Sequence, residues 1–347
     1  MSTGRVAAMG VAMIRGGSRK LRSGSRMLHM VALAAALAST PAAPRPYPAK
    51  PVTLIIPGEP GAGMDTQARV LAAAMASHLG VPVAVENHVG ADDAMAMHPV
   101  ASAVPDGYML GMASTGLAIS PLLRKEVPFD AGEDFSPVSL VSTASLILVG
   151  SAYGSASSYG AMMAAAAAGE RLSFGVLDCV TRLATEWFRR AIRASSVDII
   201  QYATGARLTA DLRGGHLHAA LTPAGVVALL RPVPEIRLLG IAATQRLPAL
   251  PDLPTLAELG LAGFETGVWL GLVAPAGLAA PIVDRLNAAV RQALEAPAVQ
   301  LAIEGQLATP AGSTPSEFAD LIQREARKWT MVADAAGIVP QDHDPIS

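Results

Sequence analysis

From residue 47 onward, short β-branched or leucine-rich runs alternate with segments of helical periodicity. The helical spacing is clearest over residues 65–79, where apolar side chains recur on one face. This alternation is typical of parallel sheets covered by helices and predicts an α/β fold. The predicted strands are 52–56, 81–86, 108–112, 146–150, 172–176, 198–202, 217–222 and 236–243.

The length of 347 residues predicts two lobes and a leader. Residues 134–150 are predicted as a loop followed by a strand that leaves the first lobe, and residues 264–274 as a strand that returns to it, so two crossings imply a hinge. Two helices starting near prolines, 281–296 and 315–336, are expected to close the first lobe, the second ending at Gly337. The predicted division is a leader at 1–45, a first lobe at 46–141 and 270–347, and a second lobe at 142–269.

The first 45 residues contain seven Lys or Arg, no acidic residue and the apolar run 30–38. This composition predicts a secretory leader, with a cleavage site among the small residues 36–43. The apolar run is shorter than the roughly 18 residues that span a bilayer, although a short membrane anchor is the alternative. Met27 is an alternative start of translation.

Charge and cysteine content narrow the function classes. Without the predicted leader, 19 basic residues face 28 acidic ones. A protein with this excess of acidic residues has no sign of the basic surface that binds phosphate backbones. The charge therefore argues against nucleic acid as a partner. Cys179 is the sole cysteine and cannot form an intramolecular disulfide.

The turn at residues 57–65, PGEPGAGMD, joins the first strand to the first helix. At such a turn, backbone N–H groups and the positive helix end can hold an anion. Gly61 and Gly63 permit positive φ and close backbone approach, while Asp65 or a neighbour could cap the helix. A tight βα turn without a ligand is the alternative.

A nucleotide site is the rival interpretation, because Gly61 and Gly63 follow a strand and Glu86 ends the next one. However, Thr66 occupies the third glycine position of a dinucleotide fingerprint, and the turn lacks the Gly-Lys-Ser/Thr ending of a P-loop.

Catalytic and metal-binding patterns are sparse. No His lies near Cys179 in sequence, and no nucleophile elbow surrounds any Ser. His216 and His218 could project from one strand face but have no evident third ligand. The sequence therefore predicts no enzyme, no metal site and no cofactor.

Ordered short motifs extend over most of the chain. They are 47–51 (YPAKP), 60–65 (PGAGMD), 86–87 (EN), 105–108 (PDGY), 128–130 (PFD), 134–138 (DFSPV), 211–215 (DLRGG), 250–255 (LPDLPT) and 269–277 (WLGLVAPAG). In this order and spacing the chain resembles the Bug family, the periplasmic receptors of tripartite tricarboxylate transporter systems.

The resemblance implies a type II periplasmic binding fold, with two doubly wound lobes joined by a two-strand hinge and closing on a small carboxylated metabolite or related compound. It also implies a monomer in the periplasm and membrane components of such a transporter as partners. The first βα loop, the loop after the third strand and facing loops of the second lobe would surround the ligand. The candidate ligand-binding residues are Gly58, Glu59, Pro60, Gly61, Ala62, Gly63, Asp65, Ser114, Thr115, Asp178, Thr181 and Thr222.

Departures from the family pattern bear on the ligand. Gly58 replaces a usual aromatic residue, Glu59 adds negative charge, and Asp92 and Asp93 stand where glycines are common. The second-lobe loop at 175–181 is short and contains Asp178. Because carboxylates repel one another by about 1 kcal/mol per close contact in water, we expect a zwitterionic, amide-like or neutral ligand rather than a dianion. A receptor used in sensing, or one that has lost ligand affinity, is the alternative function.

Overall fold

The computed structural model describes residues 46–88, 92–194, 196–230 and 233–340, with the side chains of 92–95 and 229 outside the described part. The predicted leader and residues 90–91 lie outside these ranges, as do the side chains of Asp92 and Asp93. From Tyr47 onward the described residues form one compact unit. None of their helices combines the length and apolarity needed to cross a bilayer.

Helices and strands alternate along the described chain, as predicted. The strands are β1 Val52–Pro57, β2 Val83–His88, β3 Met109–Ser114, β4 Phe135–Ser151, β5 Leu172–Val176, β6 Val197–Gln201, β7 Ala219–Pro223, β8 Ile236–Ile241, β9 Gly267–Pro275 and β10 Thr309–Pro310. The helices are α1 Gly63–Leu79, α2 Asp92–Ala101, α3 Gly116–Leu123, α4 Tyr159–Ala167, α5 Cys179–Ala191, α6 Gly205–Gly214, α7 Ala224–Leu230, α8 Ala280–Leu294, α9 Pro297–Glu304 and α10 Pro315–Ala336.

Two groups of parallel strands flank an antiparallel pair. The strand order is β2-β1-β3-β9-β4-β7-β5-β6, with β8 and β10 also pairing with β4. Strand β1 is parallel to β2 and β3, and β5 is parallel to β6 and β7, whereas β9 pairs antiparallel with β3 and β4. The α/β class is therefore confirmed. The lobe boundaries at 141/142 and 269/270 stay a prediction.

Helix α1 packs as its apolar periodicity predicts. Its buried face includes Leu71, Met75 and Leu79, which share a hydrophobic core with Leu54 of β1 and Leu286 of α8. The helix ends at Gly80, whose φ of 78° places it in the left-handed region that favours glycine. The core thus holds α1 against β1, and α1 begins directly after the turn that follows β1.

Residues 134–150 were predicted to begin with a loop, and this prediction was wrong. Strand β4 begins at Phe135 and includes the stretch that was predicted as a loop. That stretch is rich in Ser, which favours turns. Here Ser142 donates its hydroxyl proton to Gln67 Oε1 at 2.8 Å, and Ser139 donates to the carbonyl of Ser313 at 3.1 Å. Partners distant in sequence satisfy these buried hydroxyls and allow the strand to continue.

Helix α10 has the predicted bounds, and Gly337 follows it with φ 68°. The sequence predicts that this helix closes the first lobe, and that assignment stays a prediction. Phe318 packs edge-to-face on Trp269, but farther along the helix Trp329 lies in a separate core with Phe188 and Phe264. Helix α10 therefore packs against both groups of strands.

Candidate functional site

The turn after β1 is shaped by glycines with positive φ. Gly58 has φ 124° and Gly61 has φ 83°, values that side chains rarely tolerate. The N–H of Ala62 donates to the carbonyl of Glu59 at 3.1 Å, and α1 begins at Gly63. The turn thus delivers the start of α1 to the carboxyl edge of the sheet, where loops of parallel strands form binding crevices.

Asp65 fixes this turn from inside the first turn of α1. Its Oδ2 accepts from the Gly61 N–H at 2.8 Å and from Arg69 Nε at 3.0 Å, while Oδ1 accepts from Asn87 Nδ2 at 3.0 Å. Asn87 Nδ2 also donates to the carbonyl of Gly58 at 3.1 Å. The hydrogen bond from Arg69, joined by the others, lowers the pKa of the Asp65 carboxyl to about 2. Asp65 is therefore a structural anion rather than the helix N-cap.

Gly63 has a different role from the one predicted. Its φ is not in the positive region, whereas a side chain there would meet Gln306, whose Oε1 lies 2.7 Å from the position of a Cβ. Gln306 Nε2 donates to the carbonyl of Gly63 at 2.9 Å, and Gln67 Nε2 donates to Gln306 Oε1 at 3.0 Å. The glycine thus admits a close approach, as expected, but needs no left-handed backbone.

The second group of strands contributes the start of α5. Asp178 is its N-cap and accepts from the Thr181 N–H at 2.8 Å and from the Thr181 hydroxyl at 2.9 Å. Thr181 Oγ1 in turn accepts from the Asp178 N–H at 3.0 Å, which completes a capping box. Desolvation raises the pKa of the Asp178 carboxyl above its ordinary range, and the hydrogen bonds from Thr181 and Val180 offset this only in part.

The end of β3 supplies a hydroxyl and a structural contact. Ser114 Oγ accepts from the Gly116 N–H at 3.0 Å. The neighbouring Thr115 is fully buried, and its Oγ1 accepts from the backbone N–H of Trp269 at 2.9 Å. Thr115 therefore joins β3 to β9.

These three loops meet at a cavity of about 360 Å³, which we call the candidate cleft. It is lined by Pro57, Gly58, Met64, Ser114, Gly116, Asp178, Cys179, Val180, Val268 and Leu270. The lining includes the carboxylate residue Asp178 and no Lys or Arg. The site is suited to a small, partly apolar solute that presents a hydrogen-bond donor to Asp178.

A second cavity of about 420 Å³ adjoins the candidate cleft, and Met64, Val268 and Leu270 border both. Gly61 and Gly63 line this neighbour together with Gln67, Ser142 and Gln306.

The structure distributes the predicted site residues among several places. Gly58, Ser114 and Asp178 line the candidate cleft, and Gly61 and Gly63 line its neighbour. Glu59, Pro60 and Ala62 are exposed on the turn. The four that are buried and line neither cavity are Asp65, Thr115, Thr181 and Thr222.

Sequence reasoning overlooked the apolar part of the lining. Met64 follows the glycines of the turn, and Val268 and Leu270 alternate along β9 on one face. The alternation with a period of two in this strand is the sequence signal that could have identified Val268 and Leu270. Within the described residues, no cluster of three or more His, Cys, Asp or Glu is placed to hold a metal ion.

Two sets of parallel strands whose carboxyl-edge loops face a shared cleft define the type II periplasmic binding fold, the fold of soluble solute receptors. The solved structure of the periplasmic binding protein BugD is similar, with a TM-score of 0.75 and 25% identity over 85% of this chain and all of that one. A structure of R. palustris Rpa4515 with adipate has a TM-score of 0.77 and 28% identity, over 85% of this chain and all of that one.

The family follows from sequence comparison. Residues 67–338 match the model of TctC, the tripartite tricarboxylate transporter family receptor. Protein BugT of Bordetella pertussis is 32% identical over 320 residues, which cover 90% of this chain and 98% of BugT. The chain belongs to this family of periplasmic solute-binding receptors.

Proposed function

We propose that the chain is exported by its leader and captures a small solute in the candidate cleft for a tripartite tricarboxylate-type transporter. Membership of the receptor family supports this role, and the composition of the first 45 residues supports export. We expect a monomeric, periplasmic binding protein without catalytic activity or cofactor. Closure around the solute would follow from contacts to the loops of both strand groups.

For the ligand, we propose a small zwitterionic or amide-like carboxylate. The observation that carries this proposal is Asp178, which lines a cleft that has no Lys or Arg in its lining. A ligand ammonium or amide N–H would pair with the Asp178 carboxylate, whereas a second ligand carboxylate would meet repulsion of about 1 kcal/mol in water, and more when desolvated.

The ligand carboxylate would lie near Gly58 and Ser114, which line the same cleft as Asp178. The first-turn amides of α1 have no acceptor within the helix, and the positive end of its dipole favours an anion there. Asp65 satisfies the Gly61 N–H but is neutralised by Arg69, with Nε to Oδ2 at 3.0 Å. The similar Rpa4515 structure with adipate, a dicarboxylate, supports a carboxylate in the ligand, whereas the amino or amide group proposed here rests on Asp178 alone.

Calorimetric titration of the wild-type protein with length-matched pairs tests the ligand class. The pairs are succinate and 4-aminobutanoate, glutarate and 5-aminopentanoate, and adipate and 6-aminohexanoate. At the chain length that binds best, we expect the affinity for the amino acid to be at least about ten-fold higher than that for the diacid. The reason is that a hydrogen bond between the ligand ammonium and Asp178 replaces the repulsion between two carboxylates. Tighter binding of the diacid at each length, or no binding of any member, would contradict the proposal.

A further inference from the structure

The cavity of about 420 Å³ beside the candidate cleft, which we call the side cavity, has walls from both groups of strands. Helix α1 contributes from the first group, and the start of α7 contributes from the second. None of the described residues in this lining is charged, and its apolar members include Met64, Ala144, Val226, Ala228, Val268 and Leu270. Since an apolar cavity of roughly 150 Å³ can accept a benzene ring, the side cavity has room for a group of that size.

The four polar side chains of this lining already have hydrogen-bond partners within the protein. Ser142 donates to Gln67 Oε1 at 2.8 Å, and Gln67 Nε2 donates to Gln306 Oε1 at 3.0 Å. Gln306 Nε2 then donates to the carbonyl of Gly63 at 2.9 Å. The hydroxyl of Thr66 donates to the backbone carbonyl four residues earlier at 3.2 Å. A polar ligand group would compete with these bonds, whereas an apolar group leaves them intact and displaces water.

The side cavity and the candidate cleft meet along apolar side chains, because Met64, Val268 and Leu270 border both. An apolar group can therefore extend from one into the other without desolvating a charged residue. Met64 is half-buried, and its unbranched side chain adapts readily to a neighbouring group. Asp178 lines the candidate cleft and not the side cavity. The charged and apolar parts of a ligand thus find separate, adjoining surroundings.

We propose that the side cavity is a subsite for an apolar branch of the ligand, about the size of a phenyl ring. The charged groups of the ligand stay in the candidate cleft beside Gly58, Ser114 and Asp178, while the branch extends past Met64. Burial of the branch raises the affinity because apolar surface is removed from water. This inference rests on the proposed capture of a solute in the candidate cleft, but not on the charge of that solute.

Calorimetric titration of the wild-type protein with two pairs of compounds tests the subsite. The pairs are 4-aminobutanoate with 4-amino-3-phenylbutanoate, and glutarate with 3-phenylglutarate. In the pair that binds better, the phenyl group should raise the affinity about ten-fold or more. The subsite is overturned if the phenyl group gives no gain in either pair, or if none of the four compounds binds.

The same titrations separate this inference from the proposed function. Binding of the unbranched compounds without a gain from the phenyl group would overturn the subsite and leave capture in the candidate cleft standing. Tighter binding of the diacids, with a gain from the phenyl group, would contradict the proposed ligand charge and support the subsite.

The variant Ala228→Leu places a larger side chain in the wall that α7 contributes, and leucine is a good helix former. The ratio of affinities for the branched and unbranched compounds should fall about five-fold or more. Ala288→Leu is the matched control, because Ala288 is exposed on α8, and it should keep the wild-type ratio. An unchanged ratio in Ala228→Leu would place the phenyl group elsewhere and overturn the proposal. If Ala228→Leu fails to fold, the wild-type titration decides the question.

Discussion

Helices α1 and α5 both start at the carboxyl end of a parallel strand, and each has an aspartate at its start. Asp65 lies in the first turn of α1 and pairs with Arg69 and Asn87, which lowers its pKa to about 2. Asp178 caps α5, and its donors are uncharged groups of Thr181 and Val180, so desolvation dominates and raises its pKa.

The difference shows that an aspartate near a helix start is not by itself a ligand group. The carboxylate of Asp65 is used to hold the turn that follows β1, and it lines neither neighbouring cavity. Asp178 lines the candidate cleft, and no Lys or Arg is among the other residues of that lining. The two residues should therefore respond in opposite ways to neutralisation.

The largest effect on stability is expected for Asp65→Ala. The N–H of Gly61, the amide of Asn87 and the guanidinium of Arg69 each lose an acceptor, so we expect unfolding to become easier by about 2 to 3 kcal/mol in urea at neutral pH. Asp65→Asn, which keeps an acceptor of similar shape, should cost less. Equal losses in the two variants would refute the proposed network.

The pH dependence of the Asp65 contribution follows from its lowered pKa. A carboxyl with a folded-state pKa of about 2 and an ordinary value of 3.8 stabilises the fold above that ordinary value and loses this contribution as pH falls toward 2. The unfolding free energy of wild type should thus exceed that of Asp65→Asn at neutral pH, and this difference should shrink by at most about 2 kcal/mol as the pH falls toward 2. A gap that widens in acid would contradict the assignment.

Replacing Gly58 with Ala should cost about 1 to 2 kcal/mol through backbone strain alone. Its φ is 124°, and an added Cβ would meet no atom within 4 Å, so steric clash is not involved. Gly205→Ala is the matched control, because a Cβ there also meets nothing and the φ is not positive. Thermal unfolding should separate the two variants, and identical midpoints would rule out strain at Gly58.

The smallest effect on stability is expected for Asp178→Asn. Unlike the other variants, this one should be as stable as wild type or more stable. Asn caps helices as well as Asp does. Because the folded-state pKa of Asp178 is raised, its ionisation costs stability as pH rises above the ordinary value. The variant should equal or exceed wild type in stability at neutral pH, with its advantage vanishing in acid. A variant that becomes relatively less stable as pH rises would place a cation beside Asp178.

Much of the fold was predictable because local signals agree with tertiary packing. The apolar face of α1 and the Pro and Gly at the ends of α10 identified those helices. The start of β4 was missed because its Ser residues favour turns locally, and only Gln67 and Ser313, far away in sequence, satisfy them.

The lining of the candidate cleft was predictable in part. Gly58 and Ser114 were identified from the loops that follow β1 and β3, and Asp178 from the facing loop. Sequence spacing could not reveal that the Thr115 hydroxyl accepts a hydrogen bond from the backbone N–H of Trp269, 154 residues later. The Asp178-to-Thr181 capping box was readable from its three-residue spacing, and it explains why the Thr181 hydroxyl is unavailable.

The most direct test of the account is the ratio of affinities for a matched amino acid and diacid, measured by calorimetry in wild type and Asp178→Asn. Asp65→Asn is the control, since it neutralises the other helix-start carboxylate and should weaken both ligands alike. We predict that the preference for the amino acid falls about ten-fold or more in Asp178→Asn alone. An unchanged ratio would contradict the central claim that Asp178 selects the ligand by its charge.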